Sequence, residues 1–249
     1  MMPDSPMAWT MALCGALCVG LSKTGFTGIS MISVMLFAEL FGAKTSVGLV
    51  LPLLIIADLT VYPAFREHGS WKPVGKLLLP ALIGLAIGYF VLAAIDDQQA
   101  RKGIGVSVLL MVAVQALRWA NQPLFHRVAD SQGFGIAAGV AGGMATMIAN
   151  AAGPVIQLFL LSRRIPKMEL IGISARFFLL INLLKVPMTV NLSLTTWETL
   201  KINLLLVPGV WLGVVAGKFL VKHVPQRWFE GLVIAFSLIA GFRLCFSHA

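Results

Sequence analysis

The stretch IANAAGPVIQ, Ile148 to Gln157, lies inside a long apolar region that runs from Phe134 to Leu161. It carries an amide, a cluster of small residues and a Gly-Pro pair. Proline removes a backbone donor and clashes with the preceding turn, and glycine weakens a helix. Hydrocarbon offers no water to satisfy the backbone groups that such a break sets free. A helix interrupted at this point therefore has to gain something from the interruption.

The rest of the chain makes the setting a bilayer. Its 249 residues are 58% apolar and 12% charged, with a mean hydropathy of +0.90. A soluble domain needs far more polar surface. The apolar residues fall in blocks near 7–22, 27–41, 46–65, 73–95, 103–120, 133–149, 153–162, 169–190, 200–217 and 228–246. Six of these approach the ~20 residues of a straight span. The remaining four form two pairs, 7–22 with 27–41 and 133–149 with 153–162. SKTGFTG (22–28) breaks the first pair and NAAGP (150–154) the second. The N-terminal MMPDSPMAW has no Lys or Arg, so a cleaved signal peptide is not expected.

Charge fixes an expected orientation. Each broken pair returns the chain to the side it entered from, so sidedness is defined throughout. Eleven Lys and Arg fall in the loops near 66–76, 118–127, 163–167 and 218–227, against five (Lys44, Arg101, Lys102, Lys201, Arg243) on the side of the N-terminus. The positive-inside rule makes the side of the first group cytoplasmic and puts both termini on the outside. The net charge of +9 is then a consequence of topology, and nucleic acid is not needed as a partner.

The chain also repeats. SWKPVGKLLLPALIGLAIG (70–88) resembles TWETLKINLLLVPGVWLGVVAG (196–217), with Trp71 matching Trp197, Pro80 matching Pro208, and Gly84 and Gly88 matching Gly213 and Gly217. IADLTVYP (56–63) matches LINLLKVP (180–187), which pairs Asp58 with Asn182 and Pro63 with Pro187. A repeat of half the chain is the transporter pattern. The expected fold is an all-α integral membrane protein. Residues 1–118 and 133–249 form inverted repeats joined by a cytoplasmic linker, 119–132. Each repeat is a broken or re-entrant hairpin followed by three spans, giving about six full transmembrane helices.

Such folds put a substrate near mid-membrane, where broken helices turn their N-termini inward. Those N-termini favour anions through free N–H groups and the helix dipole. The expected cradle takes Ser22, Lys23, Thr24, Gly25 and Thr27 from the first break, and Asn150, Ala151 and Gly153 from the second. Intramembrane charge is costly and is a functional candidate by default. Asp58, Arg176, Asn182 and Lys185 therefore join the candidates. Asp58 reads as a proton-coupling site or as a buried partner of a cation. Tyr62, one turn on, shares its face. Arg176 and Lys185 are nine residues apart and point opposite ways, so only one of them easily lines a cavity. Lys23 has the alternative of reaching the interface as a lipid anchor. Gln115 and Gln157 read as contacts between helices.

No catalytic set is legible, and neither is a phosphate loop or a metal motif. All four His fall in loops or at the C-terminus, and Cys14, Cys18 and Cys245 offer no disulfide framework. No enzyme activity, cofactor or metal is expected, and neither is ATP-driven transport by this chain alone.

The chain resembles the sulfite exporter TauE/SafE family, also called the toluene-sulfonate uptake permease family. The resemblance is carried by GLSKTGFTGIS (20–30), AGVAGGMATMIANAAGPVIQLFLL (138–161), GISARFFLLINLLKVP (172–187) and LLLVPGVWLGVVAG (204–217). It implies a bacterial inner-membrane transporter, often an exporter, for sulfur-containing anions such as sulfite or small organosulfonates. Lys23 and Thr24 stand where many relatives carry a plain glycine run. An oxyanion suits the donors collected above. A secondary transporter working by alternating access is the leading expectation, with protons as the candidate coupling ion. The protein would act as a monomer or a homodimer. The alternatives are an anion channel of the same architecture and, further off, a membrane-embedded enzyme or a component of a larger complex.

Overall fold

The computed structural model describes residues 2–120, 132–162 and 165–223, together with positions 238, 242 and 245. Most of the 119–132 linker and of the 228–246 segment lies outside the described residues, as do the side chains of Thr27, Gln115 and Gln157. The described residues form helices and one short 3-10 turn, with no strand among them.

Helix α1 (Pro6–Ser22) opens with a Ser5 cap, whose hydroxyl accepts from Ala8 N at 3.2 Å, and with proline in its first turn. A 3-10 turn (Thr27–Ile29) and α2 (Ser30–Phe41) follow. Then come α3 (Ala43–Phe65), α4 (Trp71–Ala94), α5 (Asp97–Ala120), α6 (Gln132–Ala149), α7 (Gly153–Ser162), α8 (Lys167–Asn191) and α9 (Trp197–His223). Asp97 at the start of α5 caps α3 from outside, accepting from Ala43 N at 3.2 Å and Lys44 N at 2.9 Å.

Among the described residues, four helices are long and apolar enough to cross a bilayer: 43–65, 71–94, 168–191 and 197–220. Their outward faces carry large apolar side chains, with Leu79, Phe90, Leu204 and Phe219 each at least 66% exposed. A surface of that kind suits lipid. At 1.5 Å per residue the twelve-residue α2 and the ten-residue α7 reach only ~15–18 Å, short of a ~30 Å hydrocarbon core.

Three helix pairs organise the packing: α1 along α9, α6 along α4, and α3 along α8. Glycine brings the backbones of the first two pairs together. A Cβ on Gly20 would come within 2.1 Å of Val210 O, and one on Gly143 within 2.0 Å of Ala81 O. Thr24 fills the space against Gly217 as Met147 fills that against Gly88. The α1 and α6 members of these contacts are 123 positions apart, and their partners in α9 and α4 are 129 apart.

Candidate functional site

Both breaks fall where the Gly and Pro clusters stand. Helix α1 stops at Ser22, and the Ser22 and Thr24 hydroxyls donate back to Val19 O (2.7 Å) and Leu21 O (2.8 Å). Gly25 then takes φ 113, which an L side chain rarely adopts. Helix α6 ends at Ala149, Asn150 follows in the left-handed conformation at φ 52, and Ala151 N donates back to Ala145 O at 3.3 Å. Asn is the residue after Gly that most readily takes this role. Helix α7 restarts at Gly153.

The two breaks share one cavity of about 40 Å³, room for a few waters or a small anion. Ser22, Lys23, Gly25 and Ser30 line it from the first break, and Thr146, Asn150 and Gly153 from the second. Leu54 and Asp58 line it from α3. Leu170, Ile171, Ser174, Ala175, Phe178 and Asn182 form a continuous stripe on α8. That stripe follows the i, i+3/i+4 spacing of a single helix face.

A buried charge network occupies the centre. The Lys23 ammonium lies 2.8 and 3.0 Å from the two oxygens of Asp58 and 4.6 Å from the centre of the Phe178 ring. Asn182 Nδ2 donates to Asp58 Oδ2 at 2.8 Å. Asp58 is fully buried and Asn182 nearly so. Lys185 is also fully buried, and its ammonium donates to Asn150 Oδ1 (2.6 Å), Thr146 O (2.5 Å) and Thr146 Oγ1 (3.5 Å). Asn150 Nδ2 donates in turn to Val47 O at 3.0 Å. Lys185 thus ties the second break to α8, and Asn150 ties it to α3.

On one side of this network the 194–195 segment packs tightly onto α3. Pro52 has no N–H for Gly48 O, four residues back. Thr195 Oγ1 donates to that carbonyl instead, at 3.0 Å. Leu194 lies so close that a Cβ on Gly48 would fall 2.2 Å from its carbonyl oxygen. On the other side the cavity extends along α8 to Leu170 and Ile171.

Of the residues expected at the site, Ser22, Lys23, Gly25, Asp58, Asn150, Gly153 and Asn182 line the cavity. Thr24 and Ala151 are buried beside it. Arg176 lies elsewhere: its guanidinium donates to His68 O (2.8 Å), Gly172 O (2.9 Å) and Arg66 O, and stacks near Tyr62 and Trp71. It holds the 66–69 turn onto α8. Lys185 touches the cavity only through Asn150 and Thr146. Among the described residues no group of His, Cys, Asp and Glu could hold a metal ion.

Sequence reasoning did not name Ser30, Thr146, Ser174 or Phe178. Two signals were available. Thr146 stands 123 positions after Lys23, the spacing that relates Gly20 to Gly143. Ser174 and Phe178 lie two turns and one turn before Asn182 on the same helix face.

Apolar spans around a buried polar cavity define a multi-pass membrane protein. A family model described as sulfite exporter TauE/SafE matches residues 12–244, and the chain belongs to that family. It is a family of membrane transporters of sulfite and related sulfur anions. No curated protein and no solved structure matches the chain.

Proposed function

We propose that the protein is a secondary transporter, working as an exporter, of small sulfur-containing anions such as sulfite or organosulfonates. The observation that carries this reading is the shared cavity. Two helix breaks from opposite halves of the chain meet there with Lys23, Asp58 and Asn182, and the space suits a small oxyanion. Helix starts at 27–30 and at Gly153 supply N–H groups and dipoles of the right sign. The halves, 1–118 and 133–249, act as inverted repeats. The matched glycine contacts support this, because α1 packs on α9 as α6 packs on α4. Asp58 serves as the proton-coupling group. The tightly packed Gly48–Leu194 side, read as closed, and the run of the cavity along α8, read as the way it opens, suit one state of an alternating-access cycle. On the charge bias, the α8 side is the cytoplasmic one.

Thermal stabilisation of the purified protein tests the substrate class. The anion panel is sulfite, sulfate, thiosulfate, sulfoacetate, taurine, acetate and chloride. A ligand of the folded state raises the melting temperature with the logarithm of its saturation. A selective rise with sulfite or a sulfonate, lost in Lys23→Ala, is expected. In proteoliposomes the flux should saturate and support counterflow. A non-saturating flux would mean an anion channel instead.

A further inference from the structure

The cation that faces the cavity already holds an anion. Asp58 sits on Lys23 with both oxygens within 3.0 Å, the arrangement an oxyanion substrate would adopt. Among the described residues, two further cations near the site, both buried, are committed elsewhere. Lys185 donates to Thr146 and Asn150, and Arg176 to the 66–68 backbone and Gly172. Beside the carboxylate stands an acceptor with nothing to accept: Asn182 Oδ1 is buried and has no hydrogen-bond partner, although Nδ2 of the same amide is engaged with Asp58. An orphaned buried acceptor is costly, and a neutral carboxylic acid carries the O–H that would satisfy it.

We propose that Asp58 is the resident anion of the site, and that substrate takes its place on Lys23 only as Asp58 binds one proton. This rests on the anion-carrier reading above. The exchange balances. One proton from water converts the Asp58 carboxylate to the acid, and the Lys23 ammonium passes from the carboxylate to the substrate oxyanion. The Asn182 amide turns over, so that Oδ1 accepts from the acid and Nδ2 donates to the substrate. No covalent bond in the substrate changes. Each anion therefore travels with one proton.

Among the described residues, Asp58 is the one carboxylate paired with Lys23 and lining the cavity. Lys23 faces it from the first break, and Lys185 lies one turn beyond Asn182 on α8. Ser30 on α2 and Thr146 and Asn150 at the end of α6 are uncharged. The charges of α5 and α9 near the described core (Asp97, Arg101, Lys102, Glu198, Lys201, Lys218) belong to the end regions of those helices. By linkage, the anion strengthens proton binding by the factor with which the proton strengthens anion binding.

Calorimetric titration of sulfite into the full-length protein in detergent tests the proposal. It is run above the second ionisation of sulfite, in two buffers of different ionisation enthalpy. The wild type should take up about one proton per sulfite, with Kd weakening about tenfold per pH unit. Asp58→Asn should still bind sulfite, with no proton uptake and a pH-independent Kd. Sulfite binding without proton uptake in the wild type overturns the proposal and leaves the anion site standing. Proton uptake that persists in Asp58→Asn overturns it as well. Sulfite affinity unchanged in Lys23→Ala overturns the site and the proposal together. If Asp58→Asn does not fold, the wild-type proton count decides alone.

Discussion

Asn182 and Asp58, 124 positions apart in the chain, meet in a single hydrogen bond of 2.8 Å at the centre of the helix packing. Each occupies the same place in its own copy of the half-chain pattern, one upstream of Pro63 and the other upstream of Pro187. A contact between equivalent positions is what a two-fold axis through the site would produce. Lys23 completes the cluster from one side only, so any symmetry ends at the charge.

The Lys23–Asp58 pair is buried, and breaking it from the cationic side strands a carboxylate. Lys23→Met should therefore cost about 3–5 kcal/mol of stability. Adding Asp58→Asn should restore most of that loss, because the uncompensated charge is gone. Unfolding of the two variants in detergent measures both terms. A single variant as stable as the wild type would mean that the carboxylate finds another partner or water.

Arg176 separates stability from function. Its guanidinium satisfies carbonyls of the 66–68 turn and lies outside the cavity lining. Arg176→Met should lower stability by roughly 1–3 kcal/mol through the acceptors left unpaired. The order of anions in a stabilisation panel should stay as in the wild type. A changed order would bring Arg176 into the site after all.

The Thr195 hydroxyl supplies the hydrogen bond in the packing on the Gly48 side, which is read as closed. Thr195→Val leaves Gly48 O without its donor and should weaken the closed state by about 1–2 kcal/mol. The readout is a thiol at Val47→Cys, in a chain freed of Cys14, Cys18 and Cys245. Its reaction with a membrane-impermeant reagent should speed up several-fold when Thr195→Val is added. An unchanged rate would remove Thr195 from the closure.

Glycine at the helix crossings makes a paired prediction. Gly20→Val and Gly143→Val each drive a side chain into a backbone carbonyl, Val210 O in one case and Ala81 O in the other. Both should destabilise by at least ~1–3 kcal/mol, the range for overpacking a tight core. Gly75→Ala meets nothing within 4 Å and should melt at or above the wild type. Unequal costs for the two valines would argue that the halves are less alike than their contacts.

Much of this was legible in the chain. The breaks at 22–28 and 150–154 lie at the Gly-rich SKTGFTG and at NAAGP, and the described helix limits fall within about six residues of the apolar blocks. The matched segments 56–63 and 180–187 pair Asp58 with Asn182, and the two side chains are in contact. What the sequence leaves open is where a long side chain ends. Lys23, Arg176 and Lys185 all look like intramembrane cations, yet one pairs with a carboxylate, one satisfies a turn and one clamps a helix break. Those outcomes depend on which acceptors the packing leaves unsatisfied. The Ser22 and Thr24 hydroxyls, expected to face a ligand, donate to their own helix because its last carbonyls are the nearest acceptors.

Ser174 tests which way the cavity opens. It lies on the α8 stripe between Asn182 and Leu170, on the side away from the Gly48–Leu194 closure. On the proposed orientation, that side is cytoplasmic. In the same cysteine-free background, Ser174→Cys should react with an impermeant thiol reagent in inside-out vesicles and resist it in right-side-out ones. A bound anion should slow the reaction, since the thiol lies on the route to Lys23. Reaction only from the right-side-out face would reverse the orientation. Equal reaction from both faces would mean a continuous aqueous path, and a channel in place of a carrier.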